Sequence, residues 1–172
     1  MNAAAPRHPA TLPLEELLEQ CETRRERRSG PGGQHRNKVE TAVVLVHRPT
    51  AVKGEASERR SQTQNQVVAL RRLRVNLALQ VRTPPGESRV PSVLWQSRCR
   101  SSRIAVSETH DDFPALLAEA LDVLQHCDWD LKETAAALAV TTSQLVKFFK
   151  IEPRAILRIN QQRQQAGLPR FR

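Results

Sequence analysis

Ala42-Val43-Val44-Leu45-Val46-His47 is a run of mostly β-branched residues without a charge inside it, and it reads as a buried strand. Pro49-Thr50 marks a turn directly after it. Ala51 to Ala56 alternates weakly and is expected to be the returning strand of a hairpin, with Gly54 either weakening it or marking a bulge. Ser57 is expected to cap a long helix running to about Gln80. In that helix Leu70, Leu73, Leu77 and Val81 follow one another at three- to four-residue spacing, while Arg71, Arg72 and Arg74 point elsewhere. A hairpin covered by the apolar stripe of one helix, with a basic face left over, predicts an α+β fold.

Upstream of the strand, Ser29-Gly30-Pro31-Gly32-Gly33-Gln34 has a composition that no regular element tolerates, so it must be a loop. Asn37 to Val43 joins it to the strand as a short helix or an extended connection. Glu22 to Arg28 is polar and suits an extended segment. Pro13 to Cys21 reads as a short helix, with Leu14, Leu17, Leu18 and Cys21 at helical spacing and an acidic start that complements the helix dipole. Residues 1–13 contain three prolines and little periodicity, and are expected to be a flexible lead-in.

Downstream, Thr83-Pro84-Pro85-Gly86-Glu87-Ser88 is the clearest linker signal. Val90 to Val106 comes next with Trp95, Arg98, Arg100 and Arg103, and with a short strand expected at Arg103 to Val106. Asp112 precedes a helix whose Phe113, Leu116, Leu117, Ala120, Leu121 and Leu124 form one stripe. Asp130-x-x-Glu133 and Thr141-x-x-Gln144 have capping-box spacing and start two further helices, so that residues 131–150 resemble a helix-turn-helix unit. Pro153 fits the first turn of a last helix ending near Gly167. The organisation expected is therefore a lead-in and short helix at 1–20, a hairpin-and-helix domain at 21–82, a linker with a short strand at 83–110, and a helical C-terminal region with a basic end at 111–172.

A chain of 172 residues excludes large multidomain enzymes. No stretch has the length and hydropathy of a membrane span, and the start lacks the apolar core of a signal peptide and the Arg-rich character of a transit peptide, which predicts a soluble, cytoplasmic protein. Cys21, Cys99 and Cys127 are odd in number and widely spaced, so reduced, mostly buried thiols are expected and neither a disulfide framework nor a zinc site. The net charge is +9. From Cys21 to Arg82 there are fourteen Lys/Arg against five Asp/Glu, a surplus equal to that of the whole chain. Such a block predicts a polyanionic partner and salt-sensitive binding. That segment holds no Phe, Trp or Tyr, so recognition of nucleic acid there must rest on charge and shape rather than on stacking. There is no Ser-His-Asp arrangement, no HExxH and no clustered acidic pair, and neither a metal nor a cofactor is expected.

Arg28-Ser29-Gly30-Pro31-Gly32-Gly33-Gln34-His35 resembles the catalytic loop of class I peptide-chain release factors. The resemblance continues through Asn37-Lys38, Thr41-Ala42-Val43, His47-x-Pro49-Thr50, Arg60-Ser61-Gln62-x-x-Asn65 and Ala69-Leu70, covering roughly residues 22–80. It implies a small catalytic domain with a protruding loop, and hydrolysis of the ester that joins a peptide to the terminal ribose of a P-site tRNA. Gly32, Gly33 and Gln34 are then the catalytic residues. Without a Cβ, the two glycines allow the backbone to approach an RNA pocket closely. The Gln34 N–H can donate to the developing oxyanion, an interaction worth about 2.7–4 kcal/mol in other enzymes, while its side-chain amide admits water in preference to an amine. The resemblance routes proton traffic through tRNA and ribosomal RNA, so no protein base is required. His35 is expected to orient the loop rather than to act as a base. Arg28, His35, Arg36, Lys38, Arg59, Arg60, Arg71, Arg72 and Arg74 are the candidate RNA contacts. The implied partners are the large-subunit RNA of the ribosome and P-site peptidyl-tRNA; a monomer is expected.

Full-length members of that family also carry a stop-codon-reading domain and a long helical domain at the front, whereas about twenty residues precede the match here. The expectation is therefore a codon-independent factor that frees peptide from stalled ribosomes or large subunits. From Gln144 to Arg172 there are seven Lys/Arg and one acidic residue, which suits contact with ribosomal RNA. A non-catalytic DNA- or RNA-binding protein using the helix-turn-helix-like unit is the competing reading. Departures from the family pattern are Arg36 in place of a small apolar residue, Ala51 in place of a glycine, Ala56-Ser57 where Cys-Gln is common, and Arg59 at a usually acidic position.

Overall fold

A computed structural model describes residues 7–26, 42–83 and 91–171. The fold is α+β, and it divides into two compact units: Pro9–Val81, and the chain from Arg82 onward together with Arg7 and His8.

In the first unit, strands β1 (Cys21–Glu26), β2 (Ala42–His47) and β3 (Lys53–Ala56) form an antiparallel sheet in the order β1-β2-β3. The unalternating apolar run of β2 is the central strand, with Ala42 to Leu45 and His47 buried. Helix α2 (Gln62–Gln80) lies across β2 and β3. It starts four residues later than Ser57 implies. Its cap is Ser61, whose Oγ accepts from Gln64 N–H at 3.4 Å, because residues 57–60 are spent on the connection from β3. Leu73 and Leu77 lie at 0% exposure, as the stripe requires, whereas Leu70 and Val81 are half-buried.

Gly54 marks no bulge. It keeps regular register opposite Leu45, and it sits where the backbone of α2 presses on the sheet. A Cβ placed there would lie 2.6 Å from Leu73 Cβ and closer still to the Ala69 carbonyl oxygen and Leu73 N. The glycine is required by this close approach.

The expected flexible lead-in is partly core. A 3-10 turn at Pro9–Thr11 packs on α2, with Ala10 and Leu12 buried. The Arg74 guanidinium holds it by donating to the Ala10 carbonyl at 3.1 Å. Helix α1 (Leu14–Glu19) forms as expected and buries Leu17, but Leu14 stays exposed and Cys21 opens β1 instead of ending the helix.

The second unit comprises α3 (Val93–Arg98), a two-residue-strand hairpin β4 (Cys99–Arg100) and β5 (Arg103–Ile104), α4 (Phe113–His126), α5 (Leu131–Ala137), α6 (Thr142–Lys150) and α7 (Pro153–Gln165). Residues 91–110, read from sequence as linker with a short strand, belong to this unit, and Trp95 anchors them in its core. Trp95 is fully buried, its indole N–H donates to the Leu138 carbonyl at 2.8 Å, and its ring meets Phe148 edge-on at 5.5 Å. The six residues of the α4 stripe are all buried. Asp130 and Thr141 cap α5 and α6 as the spacing predicts. Asp112 precedes α4 but its carboxylate pairs with Arg98 at 2.6 Å and caps nothing. Cys21, Cys99 and Cys127 are unpaired and half-buried rather than fully buried.

Candidate functional site

β1 and β2 pair from Cys21 opposite His47 to Glu26 opposite Ala42. Residues 27–41 therefore leave and re-enter the sheet at neighbouring positions, one on an outer strand and one on the central strand. Gly32, Gly33, Gln34, Arg28, His35, Arg36 and Lys38 belong to that segment and lie outside the described residues. The described residues show how the two arms that carry it are held.

At the far end of the arms sits His47, buried at 2% exposure. Its Nδ1 lies 2.7 Å from Thr50 Oγ1 and its Nε2 lies 3.0 Å from Gln20 Oε1. With the Gln20 oxygen as acceptor, Nε2 carries the proton and Nδ1 accepts from the Thr50 hydroxyl, which is the neutral ring. Burial pushes its pKa down, in agreement with that state. Beside it, Arg48 N–H donates to the Gln20 carbonyl at 2.9 Å, and the Arg48 guanidinium reaches the Glu19 carbonyl. The β2–β3 turn is thereby tied to the α1–β1 junction. The turn itself places Ala51 at φ 56°, in the left-handed region that favours glycine.

The β3–α2 connection is held by Asn65, which is fully buried. Its Oδ1 accepts from Arg59 N–H and its amide donates to the Arg59 carbonyl, both at 2.9 Å. That clamp presents Arg59 and Arg60 on the surface, where both are exposed. Arg71 is half-buried. Arg72 pairs with Glu58 at 2.7 Å and donates to the Glu55 carbonyl at 2.8 Å, and Arg74 is engaged with Ala10. Of the arginines picked from the sequence, then, Arg59 and Arg60 face solvent, while Arg72 and Arg74 bind the unit's own carbonyls. Sequence reading gave no role to Asn65, Gln20 or Glu58: Gln20 and Glu58 meet partners 27 and 14 residues away, and Asn65 closes on Arg59 six residues back. Only the place of Asn65 in the Arg60-Ser61-Gln62-x-x-Asn65 string signalled it. Among the described residues, no cluster of His, Cys, Asp or Glu is arranged to hold a metal ion.

The family model described as the RF-1 domain matches residues 16–109, more than half of the chain. The chain belongs to the RF-1 domain family. The match runs past the 22–80 resemblance and takes in α3 and the β4–β5 hairpin. Human mitochondrial peptide chain release factor 1 is 47% identical over 55 residues, 32% of this chain and 12% of that protein. Peptide chain release factor 1 of Streptococcus thermophilus is 50% identical over 50 residues, 29% of this chain and 14% of that protein. That of Acidiphilium cryptum is 43% identical over 63 residues, 37% of this chain and 18% of that protein. The matched segment thus spans less than a fifth of these relatives. No helix among the described residues is long and apolar enough to cross a membrane.

Proposed function

We propose that the chain hydrolyses peptidyl-tRNA on the ribosome without reading a codon, and so frees peptides from stalled ribosomes or large subunits. The observation that carries this reading is the RF-1 domain match across Gly32-Gly33-Gln34. Glu26 and Ala42, where residues 27–41 begin and end, pair on a sheet braced by α2, which suits an element that must be held while it enters an RNA pocket.

In this reading residues 21–82 carry the chemistry and residues 111–172 add binding. Gly32 and Gly33 permit close approach to the tRNA end, the Gln34 N–H donates to the oxyanion, and the Gln34 side chain selects water. Arg28, His35, Arg36, Lys38, Arg59, Arg60 and Arg71 contact ribosomal RNA, whereas Arg72 and Arg74 set the position of α2. This reading assigns ribosome binding to the helical region with a basic end that lies beyond the RF-1 match. The compartment we assign is the cytoplasm; mitochondrial names among the relatives make co-fractionation with mitochondrial ribosomes the observation that would move it.

The test is release of a labelled peptide from ribosome complexes that differ only at the A site: empty, sense codon or stop codon. Similar release from the empty and stop-codon complexes is expected. Release only at the stop codon overturns codon independence, and release from none overturns hydrolysis.

A further inference from the structure

The second unit carries charge that the proposed chemistry does not use. Leu145, Phe148 and Phe149 define the buried face of α6. Ser143, Lys147 and Lys150, spaced by four and three residues and all exposed, fall on the opposite face. That orientation is fixed, because Phe148 packs edge-on against both Trp95 at 5.5 Å and Phe113 at 5.7 Å. Between α5 and α6, Ala139 takes φ 54° and Val140 N–H returns to the Ala135 carbonyl at 3.0 Å, while Ala135, Leu138, Val140 and Leu145 are buried. This is a helix-turn-helix with α6 as the presented helix.

The β4–β5 hairpin packs against the start of α6. Thr141, the cap of α6, donates its N–H to the Ser102 carbonyl at 3.4 Å, and α6 packs on β5. Arg100 and Arg103 are cross-strand partners and both exposed, on the face opposite the half-buried pair Cys99 and Ile104. Like charges directly opposite on a ladder repel. Among the described residues, Arg100, Arg103, Lys147 and Lys150 have no ion-pair partner. Two arginines held side by side at one end of a two-turn helix, with two lysines along its outer face, complement a polyanion that runs past both.

We propose that Arg100, Arg103, Ser143, Lys147 and Lys150 form a docking surface for duplex RNA. The exposed stripe of α6 has no Asn or Gln to pair bidentately with adenine, and its only cations are lysines, which meet phosphates as point charges. What it offers is two point charges and a hydroxyl. Such a set suits phosphates and ribose 2′-hydroxyls, by which A-form duplexes are recognised through shape. The choice of RNA over DNA rests on the ribosome-directed reading; the surface itself does not.

The test titrates the full chain with a short mixed-sequence RNA duplex and with the DNA duplex of the same sequence, over a range of salt. Two double variants, Arg100→Gln/Arg103→Gln and Lys147→Gln/Lys150→Gln, change only exposed side chains. Each is expected to weaken RNA-duplex binding about tenfold near physiological salt and to lower the slope of log affinity against log salt by about two. Arg100→Lys/Arg103→Lys is expected to keep the wild-type slope. Unchanged slopes in both Gln variants overturn the surface, and a preference for the DNA duplex overturns the choice of RNA. Peptide release by the wild-type chain is measured separately. Loss of duplex binding in the variants beside a wild type that releases no peptide upholds the surface and removes the hydrolase reading alone.

Discussion

The two units are held together by different means. All six aromatic residues of the chain lie beyond residue 82, and four of them, Trp95, Phe113, Phe148 and Phe149, are packed in the core of the second unit. The first unit has none. Its largest fully buried side chains are Leu17, Leu45, Leu73 and Leu77, and its specificity comes from close approach and polar clamps: Gly54 under α2, Asn65 around Arg59, and His47 between Gln20 and Thr50. Bulk fills the second unit's core. Clamps at the strand ends and at the start of α2 fix the geometry of the first.

Breaking the aromatic core should have the largest effect. Phe148→Ala is expected to cost the second unit about 3–5 kcal/mol. Hydrogen exchange should show protection lost in α3 to α7 and retained in β2, β3 and α2; loss in both sets would mean the units unfold together. Gly54→Ala attacks the other unit by overpacking, at about 1–3 kcal/mol or more because backbone must move. There the exchange pattern should invert, with α2 and β3 losing protection first. Asn65→Ala should cost about 1–3 kcal/mol in a urea melt, since it removes two hydrogen bonds from a buried site. A melt unchanged by that substitution would show that the clamp does not hold the β3–α2 connection.

Acid should separate the units less strongly. The folded first unit keeps His47 neutral, with its pKa below the ordinary value, while the unfolded chain takes up a proton in the usual histidine range. The unfolded state then binds more protons, so stability falls as pH drops through that range and levels off below the folded value. His47→Gln should flatten this dependence, measured as the urea midpoint at neutral and mildly acidic pH. The smallest effect belongs to Ala51→Gly, which relieves the φ of 56° at the β2–β3 turn and should stabilise the unit by up to about 1 kcal/mol. A lower midpoint would show that the left-handed turn is not strained.

Much of the fold was legible because its signals are local. β2 was delimited by composition alone, the α4 stripe by periodicity, and the caps at Asp130 and Thr141 by spacing. The features that stayed hidden depend on which partner each side chain finds in the fold. Ser57 has the chemistry of a cap, but Asn65 closes on Arg59 and moves the helix start to Ser61. Gly54 resembles a strand breaker until α2 lies on it. Residues 91–110 read as linker because α3 is one short helix whose single large anchor, Trp95, finds its partners at Leu138 and Phe148. In the candidate site, Gly32, Gly33 and Gln34 are proposed from an ordered string and lie outside the described residues. The difference between an exposed Arg60 and an engaged Arg74 needed the fold.

The role proposed for Gln34 divides between two separable groups, and peptide release by Gln34→Ala tests it directly. The backbone N–H survives the substitution and the side-chain amide does not. On complexes with an empty A site, release by water should fall only moderately, release by added hydroxylamine should persist or rise, and ribosome binding should stay near wild type. Water and hydroxylamine rates both equal to wild type would contradict this role, because the side chain would then select nothing.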